Sequence, residues 1–488
     1  MSVSRSLVYS ISGAAVGFVT LLGSSMIVSR ILTPAEMGVF TIAMGLVTVL
    51  ITLRVFGVSA YLVQAQSLTD DIIRSVLFLS IIVCWSIGLL VAAAGGAASA
   101  FYDEPLIQPI FLILALDFVI FPFRLVTLAL LQRRMAFREV FFIDLVASVV
   151  TGSLTVGLVM MDAGVIALAI GRTAGAFAGM LMCLLVARKE FYVRPRLKVE
   201  RRVLTFGGLV VLSNFVAQSR LAVAPLFLGK ALGPAGAAQY EKGDSPSQII
   251  WTMVLPSVSG VLLPHFSRGV REGGQETERF IISANMTAAV FWPGFAALAL
   301  LAPSVILLLF GWQWVPAGPV GSALAVASFI LVPTSFVSPL FLALGRPGYN
   351  LMTFGTDLIT RIAALLVAIP YGLNAIGVAL IVPAIFYTVA ALSLLHRHLG
   401  TDMRDYFAAL RAPFLVTLVT LTGPLAVVGV FGYQTEAFLA SVLWGGAATL
   451  LMWLVGVKLL MPQLLTAFAA AFQAAKPVPK EPTEINPV

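Results

Sequence analysis

The sequence predicts an all-α polytopic membrane protein with about fourteen transmembrane helices, and three observations carry that expectation. Of the 488 residues, 60% are hydrophobic and only 11% are charged, whereas a soluble domain carries about 25% charged residues. Apolar runs of about twenty residues, long enough to cross a bilayer as helices, recur from Leu7 to the region of Lys458. These runs lack the alternation over about ten residues that barrel strands show.

Taken in order, the first run covers residues 7–28 behind a lone Arg5. It is too long for a signal-peptide core and has no clear small-residue cleavage site, so it is expected to stay as the first span. Residues 1–187 are expected to form a lobe of six helices, 188–202 a basic linker, and 203–395 a second six-helix lobe. A loop at 396–412, a helix pair at 413–461 and a tail at 462–488 complete the chain.

Charge sets the expected orientation. With the N-terminus inside, 22 of the 30 basic residues fall on that side, 3 (Arg30, Lys230 and Lys242) on the far side and 5 within spans. The positive-inside rule then places both termini in the cytoplasm. A net charge of +8 is on this view a topology signal and an affinity for anionic lipid headgroups, and no nucleic-acid partner is expected. The longest external loop is expected from about Lys230 to Ser247.

An internal repeat supports the two lobes. Residues 30–40 (RILTPAEMGVF) are echoed 200 positions later by 230–240 (KALGPAGAAQY), with the basic residue, Leu, Pro-Ala and the terminal aromatic in register. A second echo, shifted by 213, aligns Arg133 with Arg346, Asp144-Leu145 with Asp357-Leu358, and Gly164 with Gly377. Both copies start on the same side, so the repeat is parallel, with its axis along the membrane normal.

Five arginines, Arg54, Arg124, Arg172, Arg220 and Arg361, lie inside otherwise apolar spans, accompanied only by Asp117, Asp144 and Asp357. An arginine at mid-bilayer costs roughly 2.5 to 3.5 kcal/mol on insertion scales, so it normally faces a protein interior or a watery cavity. Asp357 and Arg361, four apart, are expected to pair along one helix. Asp117 and Arg124, seven apart, share a face, and Asp144 is placed to reach an arginine on a neighbouring helix. The surplus of arginines predicts an anion site. Guanidinium forks bind phosphate oxygens bidentately, and the aspartates are the candidates for proton or sodium coupling.

Small-residue faces at Ser10, Gly13, Gly17, Thr20 and Ser24, and at Gly171, Gly175 and Gly179, are expected to serve helix packing. A third face, Ser213, Ala217, Arg220 and Ala224 with Asn214 and Gln218 beside it, contains an arginine, and Asn214 and Gln218 join the candidate anion site. Cys84 and Cys183 sit in apolar segments and offer no disulfide framework. His265, His396 and His398 are expected to be ordinary solvated histidines, so no metal is expected. No GxxxxGK[ST] motif is present, which argues against ATP hydrolysis in this chain. Transport is favoured over catalysis.

Residues 29–40, 56–64 (FGVSAYLVQ), 101–105 (FYDEP) and 128–138 (LALLQRRMAFR) together resemble the polysaccharide exporter family of the multidrug, oligosaccharidyl-lipid and polysaccharide (MOP) superfamily, with colanic-acid-exporter-like and O-antigen flippases most similar. The resemblance covers residues 1 to about 200 and is vaguer beyond. It implies two lobes around a central cavity and alternating access like that of the multidrug extruders (MATE). It further implies an undecaprenyl-pyrophosphate-linked oligosaccharide moved from the cytoplasmic to the periplasmic leaflet of the bacterial inner membrane. It also implies a lipid-tail groove at helices 13 and 14, no enzymatic cofactor, and polysaccharide polymerase and chain-length machinery as partners. Val55 departs from the acidic residue expected before the Phe-Gly pair. The alternatives are a lipid II flippase and a drug exporter of the related extrusion family, the latter disfavoured because cationic cargo calls for acids to outnumber arginines.

Overall fold

The computed structural model describes residues 3–55, 62, 68–191, 195, 208–272, 276–431 and 438–464. All of the 56–64 motif but Leu62, most of the basic linker and most of the C-terminal tail therefore lie outside the described residues, as does the burial of Ser10 and Gly13.

The chain forms α1 (Val3–Ile31), α2 (Pro34–Val55), α3 (Asp70–Tyr102), α4 (Ile107–Arg133), α5 (Phe137–Met160) and α6 (Ile166–Val186). Next come α7 (Gly208–Ala231), α8 (Gly233–Glu272) and α9 (Glu276–Phe310). The remaining segments are α10 (Ala317–Ala343), α11 (Pro347–Tyr371), α12 (Leu373–Leu399), α13 (Met403–Phe431) and α14 (Phe438–Leu460). A 3-10 turn at Val332–Thr334 interrupts α10. Among the described residues, eleven helices, α2 to α6 and α9 to α14, are long and apolar enough to cross a membrane. The other three are α1, whose side chains up to residue 15 are not described, α7 with its Asn214, Gln218 and Arg220, and α8 with its Glu241, Lys242 and Asp244.

The packing repeats every six helices. In the first half α1 packs on α5, α3 on α4, α4 on α6, and α5 on α6; in the second, α7 packs on α11, α9 on α10, α10 on α12, and α11 on α12. Helices α13 and α14 pair with each other and lean on α9. Leu443, Trp444, Leu450, Leu451 and Leu459 of α14 stay exposed, as suits side chains facing lipid. Helix-interior prolines at positions 122, 225, 293, 303 and 424 fit a bilayer protein, where neighbouring helices satisfy the freed backbone groups.

The Thr-Pro-Ala-Glu of the first echo is a capping box. The Thr33 amide donates to Glu36 Oε2 at 2.8 Å, and the Glu36 amide donates to Thr33 Oγ1 at 3.3 Å. Pro34 takes the first helical position, where its missing N–H is harmless. In the second copy Gly233 stands in place of Thr33 and adopts φ +76°, a conformation that glycine reaches without strain.

The expected external loop from Lys230 to Ser247 is corrected. The chain turns at Leu232 and Gly233, and the rest is the first half of α8, with Lys242 only 4% exposed. Low hydropathy made this stretch look like a loop, but Gln239, Lys242 and Ser247 are buried between helices.

The small-residue stripes pack, as expected. On α6, a Cβ at Gly171 would strike Thr155 of α5, and one at Gly175 would strike Thr151. On α1, Gly17 meets Ser148 of α5, while Thr20 and Ser24 meet Gly152.

Candidate functional site

Three of the five intramembrane arginines come together. Arg54 from the end of α2, Arg124 from α4 and Arg172 from α6 line a cavity of about 310 Å³, with Asp117, Asp144 and Phe121. Leu21 of α1 and Thr151 of α5 complete its walls.

Each guanidinium is held differently. Arg124 Nη2 donates to Asp144 Oδ1 at 2.7 Å across the α4–α5 gap. Arg172 Nε lies 3.4 Å from Asp117 Oδ2, close enough for an ion pair, although Nε itself has no aligned hydrogen bond. Asp117 therefore serves Arg172, not Arg124 seven residues along its own helix. Arg54 has no carboxylate partner among the described residues; its Cζ sits 3.6 Å from the Phe121 ring centroid, a close cation–π contact. Gly179 makes room for Arg124, since a Cβ there would sit 3.3 Å from the guanidinium carbon.

The two carboxylates also differ. Asp117 has a side chain only 9% exposed, while that of Asp144 is 49% exposed. The Nε atoms of Arg54, Arg124 and Arg172 are all buried without a hydrogen-bond partner. A buried donor left unpaired costs about 1–3 kcal/mol, and against these three donors stands one unpaired acceptor, Asp117 Oδ1. Three positive groups against two negative ones give the same imbalance in charge.

Arg220 and Arg361 do not line this cavity. They flank Asp357 of α11, whose side chain is fully buried. Arg361 binds it through Nε at 3.1 Å and Nη2 at 3.2 Å, the expected intrahelical pair. Arg220 Nη1 approaches from α7 at 3.6 Å, with its Cζ 5.4 Å from the Phe354 ring centroid. The expected single cluster of five is thus two clusters. Asn214 is exposed and Gln218 half-buried, and neither lines the cavity. Each of Asp117, Asp144 and Asp357 is already engaged by arginine.

A third polar assembly was missed from sequence, although the 200-residue repeat held the signal. Thr41 Oγ1 donates to Glu241, its own repeat partner 200 residues on, in a short contact between α2 and α8. Residues i and i+200 touch only where a pseudo-two-fold axis passes between them, as at an isologous interface. The backbone of Pro234 presses against Gly38, where a Cβ would not fit. Around that axis, Arg30 Nη2 donates to the Leu308 carbonyl at the end of α9, at 2.8 Å. Its repeat partner Lys230 donates to the Phe101 carbonyl at the end of α3. Lys242 Nζ donates to Ser25 Oγ of α1 at 3.0 Å and lies 4.6 Å from the Phe310 ring centroid. The Trp314 indole donates to the Ser29 carbonyl at 2.8 Å. Together these contacts lock first-half to second-half helices at the end where α1 and α7 finish and α2 and α8 begin.

Comparison with known proteins agrees with this architecture. Residues 27–319 match the family model described as "Polysaccharide biosynthesis protein". The succinoglycan biosynthesis transport protein ExoT of Rhizobium meliloti is 28% identical over 341 residues, which are 66% of this chain and 65% of that protein. The solved structure of the lipid II flippase MurJ in an inward closed conformation superposes with a TM-score of 0.71 at 12% identity, covering 93% of this chain and 99% of that one. An inward-facing multidrug resistance MATE family transporter of the MOP superfamily gives 0.61 at 16%, covering 79% and 94%. At such identities these two likenesses speak for the fold. A multi-span helical chain with this architecture, matched by the family model over more than half its length, belongs to the polysaccharide biosynthesis protein family.

Proposed function

We propose that this protein moves a lipid-linked oligosaccharide, carried on undecaprenyl pyrophosphate, from the cytoplasmic to the periplasmic leaflet for exopolysaccharide, capsule or O-antigen assembly. The observation that carries this proposal is the cavity of Arg54, Arg124 and Arg172, which has more guanidinium donors than acceptors. A diphosphate bridge supplies the missing oxygens, and hydrogen bonds between charged partners are roughly twice as strong as neutral ones. Family membership and the succinoglycan transport relative support a polysaccharide cargo. The surplus of arginine disfavours a cationic drug.

The mechanism follows from the pseudo-symmetry. Residues 1–187 and 203–395 act as the two rocking lobes, joined by the 188–202 linker, with 413–461 as a flanking pair for the lipid tail. The chain sits in the bacterial inner membrane with both termini cytoplasmic, so the lock at Thr41–Glu241 closes the periplasmic side and the cavity loads from the cytoplasm. Arg54, Arg124 and Arg172 hold the headgroup. Arg220 and Arg361 are held by Asp357 and maintain the second lobe, so Asp357 is a poor coupling group. An inside-negative potential favours outward movement of an anion by roughly 2.3 kcal/mol per charge per 100 mV, and proton or sodium movement through Asp117 or Asp144 adds to this drive. Polymerase and chain-length machinery receive the product. The protein itself forms no glycosidic bond.

Deleting the gene in its host is expected to abolish a surface polysaccharide and to trap the lipid-linked repeat in the cytoplasmic leaflet while growth continues. Wild-type protein restores the polymer and Arg54→Gln does not. Arrested growth with an intact polymer would assign the protein to peptidoglycan precursor flipping instead.

A further inference from the structure

The two carboxylates of the arginine cavity are not equivalent, and the difference carries an inference that rests on the diphosphate reading. Asp117 is buried against Arg172. Asp144, half exposed, reaches Arg124 with one oxygen, on a helix that α4 otherwise touches only sparsely. An exposed single-contact ion pair holds its partners only weakly, so its carboxylate is readily exchanged for another anion.

We propose that Asp144 is a resident stand-in for the substrate's phosphate. It occupies Arg124 until the diphosphate enters, and then yields that guanidinium to a phosphate oxygen, while Asp117 remains on Arg172. The charges match. A diphosphate diester is dianionic, and release of Asp144 leaves two guanidiniums without a carboxylate, Arg124 and Arg54. The Arg124 Nε, buried and unpartnered, gains an acceptor, and Asp144 turns into the open part of the cavity that it lines. Because Arg124–Asp144 bridges α4 to α5, the exchange removes one direct tie between them, while both helices stay packed on α6.

The sign of one substitution tests this. Binding of citronellyl diphosphoglucose to the full-length protein in detergent is measured by calorimetry at fixed salt. Asp144→Asn removes the competitor and is expected to bind about threefold to tenfold tighter than wild type, whereas Asp144→Glu, which keeps the competitor, stays near wild type. Asp144→Ser replaces the Asn variant if the latter fails to fold, as judged by its thermal transition. Arg54→Gln in parallel checks the underlying reading and is expected to bind at least tenfold more weakly. Unchanged or weaker binding by Asp144→Asn, with Arg54→Gln impaired, would make Asp144 a positioning residue and overturn the exchange while leaving the cavity standing. Wild-type affinity in Arg54→Gln would overturn both. Inorganic pyrophosphate is the second probe: tightening with both ligands assigns the exchange to diphosphate chemistry itself, and tightening with the lipid-linked sugar alone ties it to the carried substrate.

Discussion

Asp357→Ala is expected to lower stability by about 3–5 kcal/mol, because removing one member of a buried ion pair leaves its partner's charge uncompensated. Two partners are stranded here: Arg361 bound at 3.1 and 3.2 Å, and Arg220 at 3.6 Å, both around a fully buried carboxylate. Asp357→Asn should be nearly as harmful, since it retains shape but not charge. The contrast within the protein is Asp144→Ala, whose half-exposed pair contributes only about 0–1 kcal/mol. Thermal unfolding in detergent, followed by fluorescence and by retention of a monodisperse peak, reads both. Equal transition temperatures for Asp357→Ala and Asp144→Ala would show that the second cluster is not a structural pin.

The second large effect is expected at the pseudo-two-fold axis. A hydrogen bond to a charged group contributes about 1.5–3 kcal/mol, so Thr41→Val combined with Glu241→Gln should shift the balance toward the state open at that end by on the order of tenfold or more. Ser29 provides a reporter, being fully buried in the locked end, where its carbonyl holds the Trp314 indole. In a background with Cys84 and Cys183 changed to Ala, a Ser29→Cys side chain should react slowly with a bulky thiol reagent in otherwise wild-type protein and at least several-fold faster in the double variant. Equal rates would mean that Thr41–Glu241 does not hold the lobes together.

Much of this was legible in the chain, for reasons that differ by residue. The intramembrane arginines stood out because charge in an apolar run is expensive, and Arg361 with Asp357 followed from helical spacing alone. The 200-residue echo disclosed the duplication. It did not disclose that Thr41 and Glu241 touch, because translation along a sequence says nothing about where the symmetry axis runs. Pairing of Arg124 with Asp144, and of Asp117 with Arg172 instead of Arg124, depends on the lateral order of helices, which hydropathy does not encode. The same limit grouped Arg220 and Arg361 with the other three arginines. The start of α8 was misread for a physical reason: Glu241 and Lys242 are polar because they meet Thr41 and Ser25 of the other half of the protein, and a polar interface inside a membrane protein has the composition of a loop.

The most direct test of the central claim is leaflet translocation of a fluorescent undecaprenyl-pyrophosphate oligosaccharide in proteoliposomes, with wild type beside Arg54→Gln, Arg124→Gln and Arg172→Gln. Transport by wild type, lost in Arg54→Gln and Arg124→Gln while their thermal transitions stay near wild type, is the predicted result. Undiminished transport in all three folded variants, or none by wild type, would contradict the account.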